Sequence, residues 1–179
     1  FEAFMSTLLD SECINSIQEV WWDIRPHPDF GTVELRMCDA TPTLRETIAI
    51  AALAQTLVAW CIQRIDDDDL PPPPREWTVS ENRWLALRYG IGATLIVEDT
   101  TTGRPTRRPI PELLAELVDE LLPTARALGN EAELTSAREI LATGSGTERQ
   151  RRLGEGGGTL LDVVRHLTDE LAAARPVAP

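Results

Sequence analysis

Two short runs of strict alternation constrain this chain most. In Gly31-Thr-Val-Glu-Leu-Arg-Met-Cys-Asp39, the apolar residues Val33, Leu35 and Met37 alternate with Glu34 and Arg36. Successive side chains of a strand point to opposite faces, so Glu34 and Arg36 share one face and the apolar residues the other. Upstream, Val20-Trp21-Trp22-Asp23-Ile24-Arg25 repeats the design, with Val20, Trp22 and Ile24 on one side and Trp21, Asp23 and Arg25 on the other. The spacing predicts strands over 17–25 and 31–38, joined by the turn formers of Pro26-His-Pro-Asp-Phe-Gly31. Two neighbouring strands that each present an acid and an arginine suit the grip of a metal-bound polyphosphate. They equally suit a salt-bridged surface ribbon.

Charge and composition narrow the choice. The formal net charge is −12, which repels nucleic acid and anionic membranes. All 17 basic residues are arginine. The absence of lysine removes a Schiff-base mechanism and a P-loop, whose lysine is part of the phosphate cradle. Any phosphate chemistry must then rest on arginine, whose planar fork binds oxyanions bidentately, and on metal. The three cysteines, Cys13, Cys38 and Cys61, are widely spaced with no CxxC pair, so neither a structural zinc nor a disulfide framework is indicated, and the cytoplasm is the expected compartment. Cys38 is expected to be a packed thiol, and the tryptophans are expected to serve the core. His27 is placed in an exposed turn, and His166 on a helix in a surface or packing role.

The remainder reads as helical punctuation. Phe1, Phe4, Met5, Leu8 and Leu9 follow helical spacing without a cap, so residues 1–12 read as a helix tail. That start in mid-pattern predicts further residues upstream, with this chain the C-terminal part of a longer protein. Thr43 and Glu46 form a candidate capping box for a helix over 43–65. The apolar run Thr47–Ile62 is shorter than the roughly 20 residues of a membrane span, and its apolar residues go almost all round, which predicts a buried core helix. Four aspartates and four prolines (66–74) read as a solvated extended connector, which Trp77, after the proline run, is expected to pin to the body. Ser80 is a candidate cap for a helix ending at Gly90. A hairpin is expected from Ala93–Glu98 and Thr106–Arg108 around Thr101–Gly103. Helices are expected from Pro111 to Gly129, then over 131–142, 146–153 and 159–174, with Gly154–Gly158 as a flexible linker. The fold class is α+β.

Three blocks carry a resemblance: Trp21-Trp-Asp-Ile-Arg-Pro26, Gly31–Asp39, and Glu81-Asn-Arg-Trp84 with Arg88-Tyr-Gly90. Together with the tail segment Gly144–Gln150, their order and spacing resemble the C-terminal half of the glutamate–cysteine ligase type 2 family. The Glu-x-Arg strand is also similar to that of the glutamine synthetase superfamily. The resemblance implies part of an antiparallel glutamine-synthetase-like sheet with a long buried helix, followed by a helical region. It implies one catalytic domain spanning 1–179: helix, strands and core helix over 1–65, the acidic, proline-rich connector over 66–79, hairpin and helices over 80–179, and an N-terminal half that is absent.

The implied chemistry is ATP-dependent ligation. ATP phosphorylates the side-chain carboxylate of glutamate, and the amine of cysteine attacks the acyl phosphate, forming γ-glutamylcysteine. By that resemblance Glu34 is an Mg²⁺ ligand, Arg36 and Arg25 are catalytic, and Asp23, Asn82 and Arg83 line the ATP and substrate site. The implied cofactors are ATP and Mg²⁺, and the implied partners are small molecules (glutamate, cysteine or another amine, ATP), with no nucleic acid, no membrane, and a homo-oligomer left open. Glu34 cannot make a metal cluster alone, so the isolated chain is expected to be inactive. The alternatives are a same-fold ligase for another acid or amine, and a non-catalytic binding module.

Overall fold

The computed structural model describes residues 1–99 and 102–176. They form two compact units, Phe1–Ala40 and Thr41–Pro179. The division falls just after the second strand and not in the Asp/Pro connector, because the helix that follows packs with the later helices. Both units together give the α+β class anticipated from the sequence.

In the first unit, α1 (Glu2–Asp10) is followed by a single 3-10 turn at Ile17–Glu19 and an antiparallel ribbon of β1 (Ile24–His27) and β2 (Thr32–Leu35). The register pairs Ile24 with Leu35, Arg25 with Glu34, Pro26 with Val33 and His27 with Thr32. The strands are shorter than the alternation suggested, and β1 starts later. Pro26 and His27, expected in the turn, belong to β1. Proline lacks an amide donor, and a two-stranded ribbon consists only of edges, where that loss is tolerated. The turn itself is Pro28–Phe30, closed by Gly31 at φ 60°, a left-handed conformation that glycine adopts without strain. Met5 and Val20 are buried, and the Trp22 ring packs on Phe4 and Phe1 at 5.2 and 6.1 Å between centroids. The apolar face of the ribbon stays open, with Ile24, Val33 and Met37 about half exposed.

The second unit is built around α2 (Leu44–Asp66), α4 (Ile110–Leu128) and α5 (Glu131–Thr143). Their shared core comprises Ala49, Ala52, Val118, Leu121, Ala125, Leu134 and Ala137. Thr43 caps α2 as expected, its hydroxyl accepting the Glu46 amide. The helix is not buried on most sides, however. Its inward stripe carries Ala49, Ala52 and Thr56, while Leu44, Ile48, Val58, Ile62 and Ile65 on the opposite face are exposed. Periodicity cannot say how many neighbours a helix has; this one has partners on one side. Among the described residues it is also the one helix long and apolar enough to cross a membrane.

The connector between α2 and α3 (Glu76–Tyr89) is extended and exposed. Helix α3 starts a turn earlier than expected, so Ser80 lies inside it and Arg75 at its N-cap. Gly90 ends it at φ 60°. The hairpin of β3 (Thr94–Glu98) and β4 (Pro105–Pro109) is as read from the sequence. Thr101, one of its expected turn residues, lies outside the described residues. Gly129 ends α4 in the left-handed region. Capping boxes at Ser145/Glu148 and Thr159/Asp162 start α6 (Gly146–Glu155) and α7 (Leu160–Ala173). The expected linker at Gly154–Gly158 is the end of α6 and a tight turn, in which the Gly158 amide donates to Leu153 O at 2.9 Å.

Candidate functional site

Strand parity and the observed register place Arg25, His27, Thr32 and Glu34 on one face of the ribbon. Arg25 is the most committed of them. Its Nε donates to Glu34 Oε2 at 2.8 Å and its Nη1 to the carbonyl of Gln18 at 2.9 Å, and its Nη2 lies 2.5 Å from Glu34 Oε2. Its side chain is only 11% exposed. Arg36 is held differently. Its amide donates to Asp23 O at 2.7 Å, extending the ribbon beyond β2. Its guanidinium lies 3.6 Å from Glu34 Oε1 and stacks on the Trp21 indole, Cζ to ring centroid 4.7 Å.

The structure thus brings Arg25, Glu34, Arg36 and the Asp23 backbone together. Asp23 makes a further interaction as well. His27 stacks on Phe30 with centroids 4.4 Å apart, and its enclosed Nδ1 has no hydrogen-bond partner. Cys38 is exposed, not packed. Trp21, Trp77 and Trp84 are exposed, Trp21 by 82%, so the expectation of core tryptophans fails for them. Trp77 stacks on Arg75 at 5.5 Å.

Asn82 and Arg83 belong to the second unit. The side-chain amide of Asn82 donates to Ile96 O and accepts from Ile96 N, both at 2.7 Å. A side chain so placed clamps α3 to the open edge of β3 by copying a strand's hydrogen bonds. That is a structural use of Asn82, unlike the substrate contact inferred for it. Arg83 is exposed and partnered.

A buried charged cluster escaped the sequence reading. Arg149 on α6 is 1% exposed and sits between Glu46 of α2 and Glu170 of α7, themselves 4% and 0% exposed. Its Nε donates to Glu170 Oε1 at 2.5 Å, its Nη1 lies 2.9 Å from Glu46 Oε1, and Nη1 also donates to Gly144 O at 2.5 Å. Burial pulls the Arg149 pKa down, but its bonds to Glu170 and Glu46 outweigh this and hold it above the usual arginine range. His166 Nε2 approaches Glu170 Oε1 to 3.3 Å without hydrogen-bond alignment. The available signal was the Gly144–Gln150 segment, where a capping box is followed within one turn by an arginine.

A hard metal such as Mg²⁺ asks for about six oxygens. Among the described residues no group of three or more His, Cys, Asp or Glu side chains is arranged to hold a metal, and both Glu34 oxygens already face guanidinium groups. These residues by themselves do not fit a magnesium centre.

Residues 1–166 match the sequence profile of glutamate-cysteine ligase family 2, and the chain belongs to that family. It is 48% identical over 178 residues to a protein of Frankia casuarinae, covering 99% of this chain and 46% of that protein. It is 46% identical over 176 residues to a protein of Thermobifida fusca, covering 98% and 43%. It is 39% identical over 172 residues to a protein of Gloeobacter violaceus, covering 96% and 45%. All three carry the name "Putative glutamate--cysteine ligase 2", the first with the suffix -1. The chain spans a little under half the length of these curated relatives.

Proposed function

We propose that this chain is one part of an ATP-dependent carboxylate–amine ligase, joining glutamate to cysteine through a γ-glutamyl phosphate. The observation that carries the reading is Arg36. It is a guanidinium on the polar ribbon face whose described side-chain contacts are one long ion pair and one aromatic stack, in a chain of this family. Its in-plane donors suit an oxyanion: a terminal phosphate of ATP, or the acyl phosphate after transfer.

Arg25 is tied to Glu34 and Gln18 and would act chiefly by fixing Glu34. Glu34 in turn balances both arginines, so that the pair does not repel itself. In the reaction the glutamate carboxylate attacks the terminal phosphorus and ADP leaves. The cysteine amine then attacks the acyl carbon, inorganic phosphate departs, and the amine loses a proton. Arg36 would counter the charge on the moving phosphoryl oxygens. ATP and Mg²⁺ are the proposed cofactors. Glu34 would be at most one of several metal ligands, the others lying beyond these residues. Asp23, on the chain just before the ribbon, remains a candidate for lining the substrate site. The proposed setting is cytoplasmic, with small molecules as partners.

One observation favours a second reading. Glu34 is so fully ion-paired that the ribbon is also a complete structural unit, as a non-catalytic module would need. Incubating the full-length protein with ATP, glutamate and cysteine separates the two. Formation of ADP and γ-glutamylcysteine supports the ligase. ADP formed only with another acid or amine keeps the chemistry and changes the substrate, whereas no ADP with any carboxylate–amine pair overturns it. The 179-residue chain alone is expected to form no product.

A further inference from the structure

Trp21 and Trp22 are neighbours in sequence but stand on opposite sides of an extended segment, and their surroundings differ. Trp22 is packed by Phe1 and Phe4 in the first unit. Trp21 points the other way and is 82% exposed, an unusual state for the residue with the largest apolar surface. One face of its indole is occupied by the Arg36 guanidinium at 4.7 Å.

The two ribbon arginines therefore divide their work. The Nε, Nη1 and Nη2 of Arg25 are all engaged, by Glu34 and by Gln18 O, and its side chain is 11% exposed. Arg36 is 25% exposed, and its nearest described carboxylate oxygen lies at 3.6 Å, too far for a hydrogen bond. What holds the Arg36 guanidinium is its face, against Trp21, and not its edge. A stack of this kind fixes the plane and leaves the in-plane N–H groups to an incoming ligand. It also removes much of the rotamer freedom that a free arginine loses when it binds.

We propose that Trp21 is a positioning residue for Arg36, and that the pair forms the ribbon's open receptor for a phosphoryl or carboxylate oxyanion. This rests on the ligase reading above and adds to it the part that Trp21 plays. Leucine at position 21 restores apolar volume without a ring face. Phenylalanine restores a face.

The test is made in the full-length protein with Trp21→Leu, Trp21→Ala and Trp21→Phe. In the wild type, the NMR resonance of the Arg36 Nε–H is expected upfield, shifted by the indole ring current, and Trp21→Leu is expected to abolish that shift. Affinity for inorganic pyrophosphate, measured by calorimetry, is expected to fall about fivefold in the Leu and Ala variants and to stay within about twofold in Trp21→Phe. Under the same conditions kcat/KM for ATP should fall by a similar factor while the melting temperature holds. Three results overturn the proposal: no ring-current shift in the wild type, Trp21→Leu binding as the wild type does, or rescue by Leu but not by Phe, which would make the role packing alone. A wild type that neither binds pyrophosphate nor forms ADP sinks the ligase reading itself, and the receptor role with it. That outcome is distinct from a working ligase indifferent to Trp21.

Discussion

Two clusters in this molecule use the same chemistry at opposite depths. In the second unit, Arg149 lies between Glu46 and Glu170, all three at most 4% exposed. In the ribbon, Glu34 lies between Arg25 and Arg36, with its own side chain 48% exposed. The buried trio holds one guanidinium against two carboxylates, and each charge depends on the others because water cannot replace a lost partner. The ribbon trio holds two guanidinium groups against one carboxylate, and water can. Removing a partner should therefore unfold the first cluster and merely loosen the second. A cluster that tolerates a missing partner is also one that can exchange it for a ligand, which is why the half-exposed one, with its excess of positive charge, is the better candidate site.

The largest expected effect tests the buried side of that contrast. Arg149→Met should cost about 3–5 kcal/mol in urea or thermal unfolding, since two carboxylates are left buried and unpaired. Replacing Glu46 and Glu170 by leucine as well should recover most of the loss. A single-variant cost below about 1 kcal/mol would erase the distinction between the two clusters.

Next in size comes Asn82→Ala, which strands the Ile96 N–H and C=O and should cost about 1–3 kcal/mol of stability. KM for ATP should not change if Asn82 is the clamp that its two 2.7 Å bonds describe. A raised KM at unchanged stability would return Asn82 to the substrate site.

On the ribbon the ranking should invert, with function more sensitive than stability. Arg36→Lys should lower turnover of the full-length protein about tenfold or more, because an ammonium cannot reproduce the planar fork, while the melting temperature moves little. Glu34→Gln should change stability by about 0.2–1 kcal/mol, less at high salt, and weaken turnover. Unchanged kinetics in both would remove these residues from the site.

The smallest effect concerns an exposed carboxylate. The Thr159 hydroxyl and amide hold the Asp162 carboxyl below its ordinary range. Its stabilising contribution is therefore present above the ordinary carboxylate value and fades as pH falls through the lower folded value. Melting curves of the wild type and Asp162→Asn should differ at neutral pH and converge in acid. Curves that stay parallel would show that the cap contributes nothing through its charge.

Local physics was legible without coordinates. The cap at Thr43, the stops at Gly90 and Gly129, and the β3–β4 hairpin each follow from residues within a few positions of one another. Alternation put Glu34 with Arg36 on one strand face and Asp23 with Arg25 on one face of the neighbouring segment, and the register then set Arg25 directly opposite Glu34. Ser80 misled because a serine inside a helix carries the same local signal as one at its start.

What the sequence alone determined is the set of helices and hairpins, the α+β class and the polar face of the ribbon, because turn chemistry, capping and side-chain period act over a few residues. Only the tertiary structure decided that α2 buries one face and not all, that Trp21 stands outside while Trp22 packs inside, and that Arg149 meets acids 103 residues before it and 21 after it. Those outcomes depend on which surfaces meet once the chain has folded back, and burial, unlike periodicity, is a property of neighbours that lie far away in sequence.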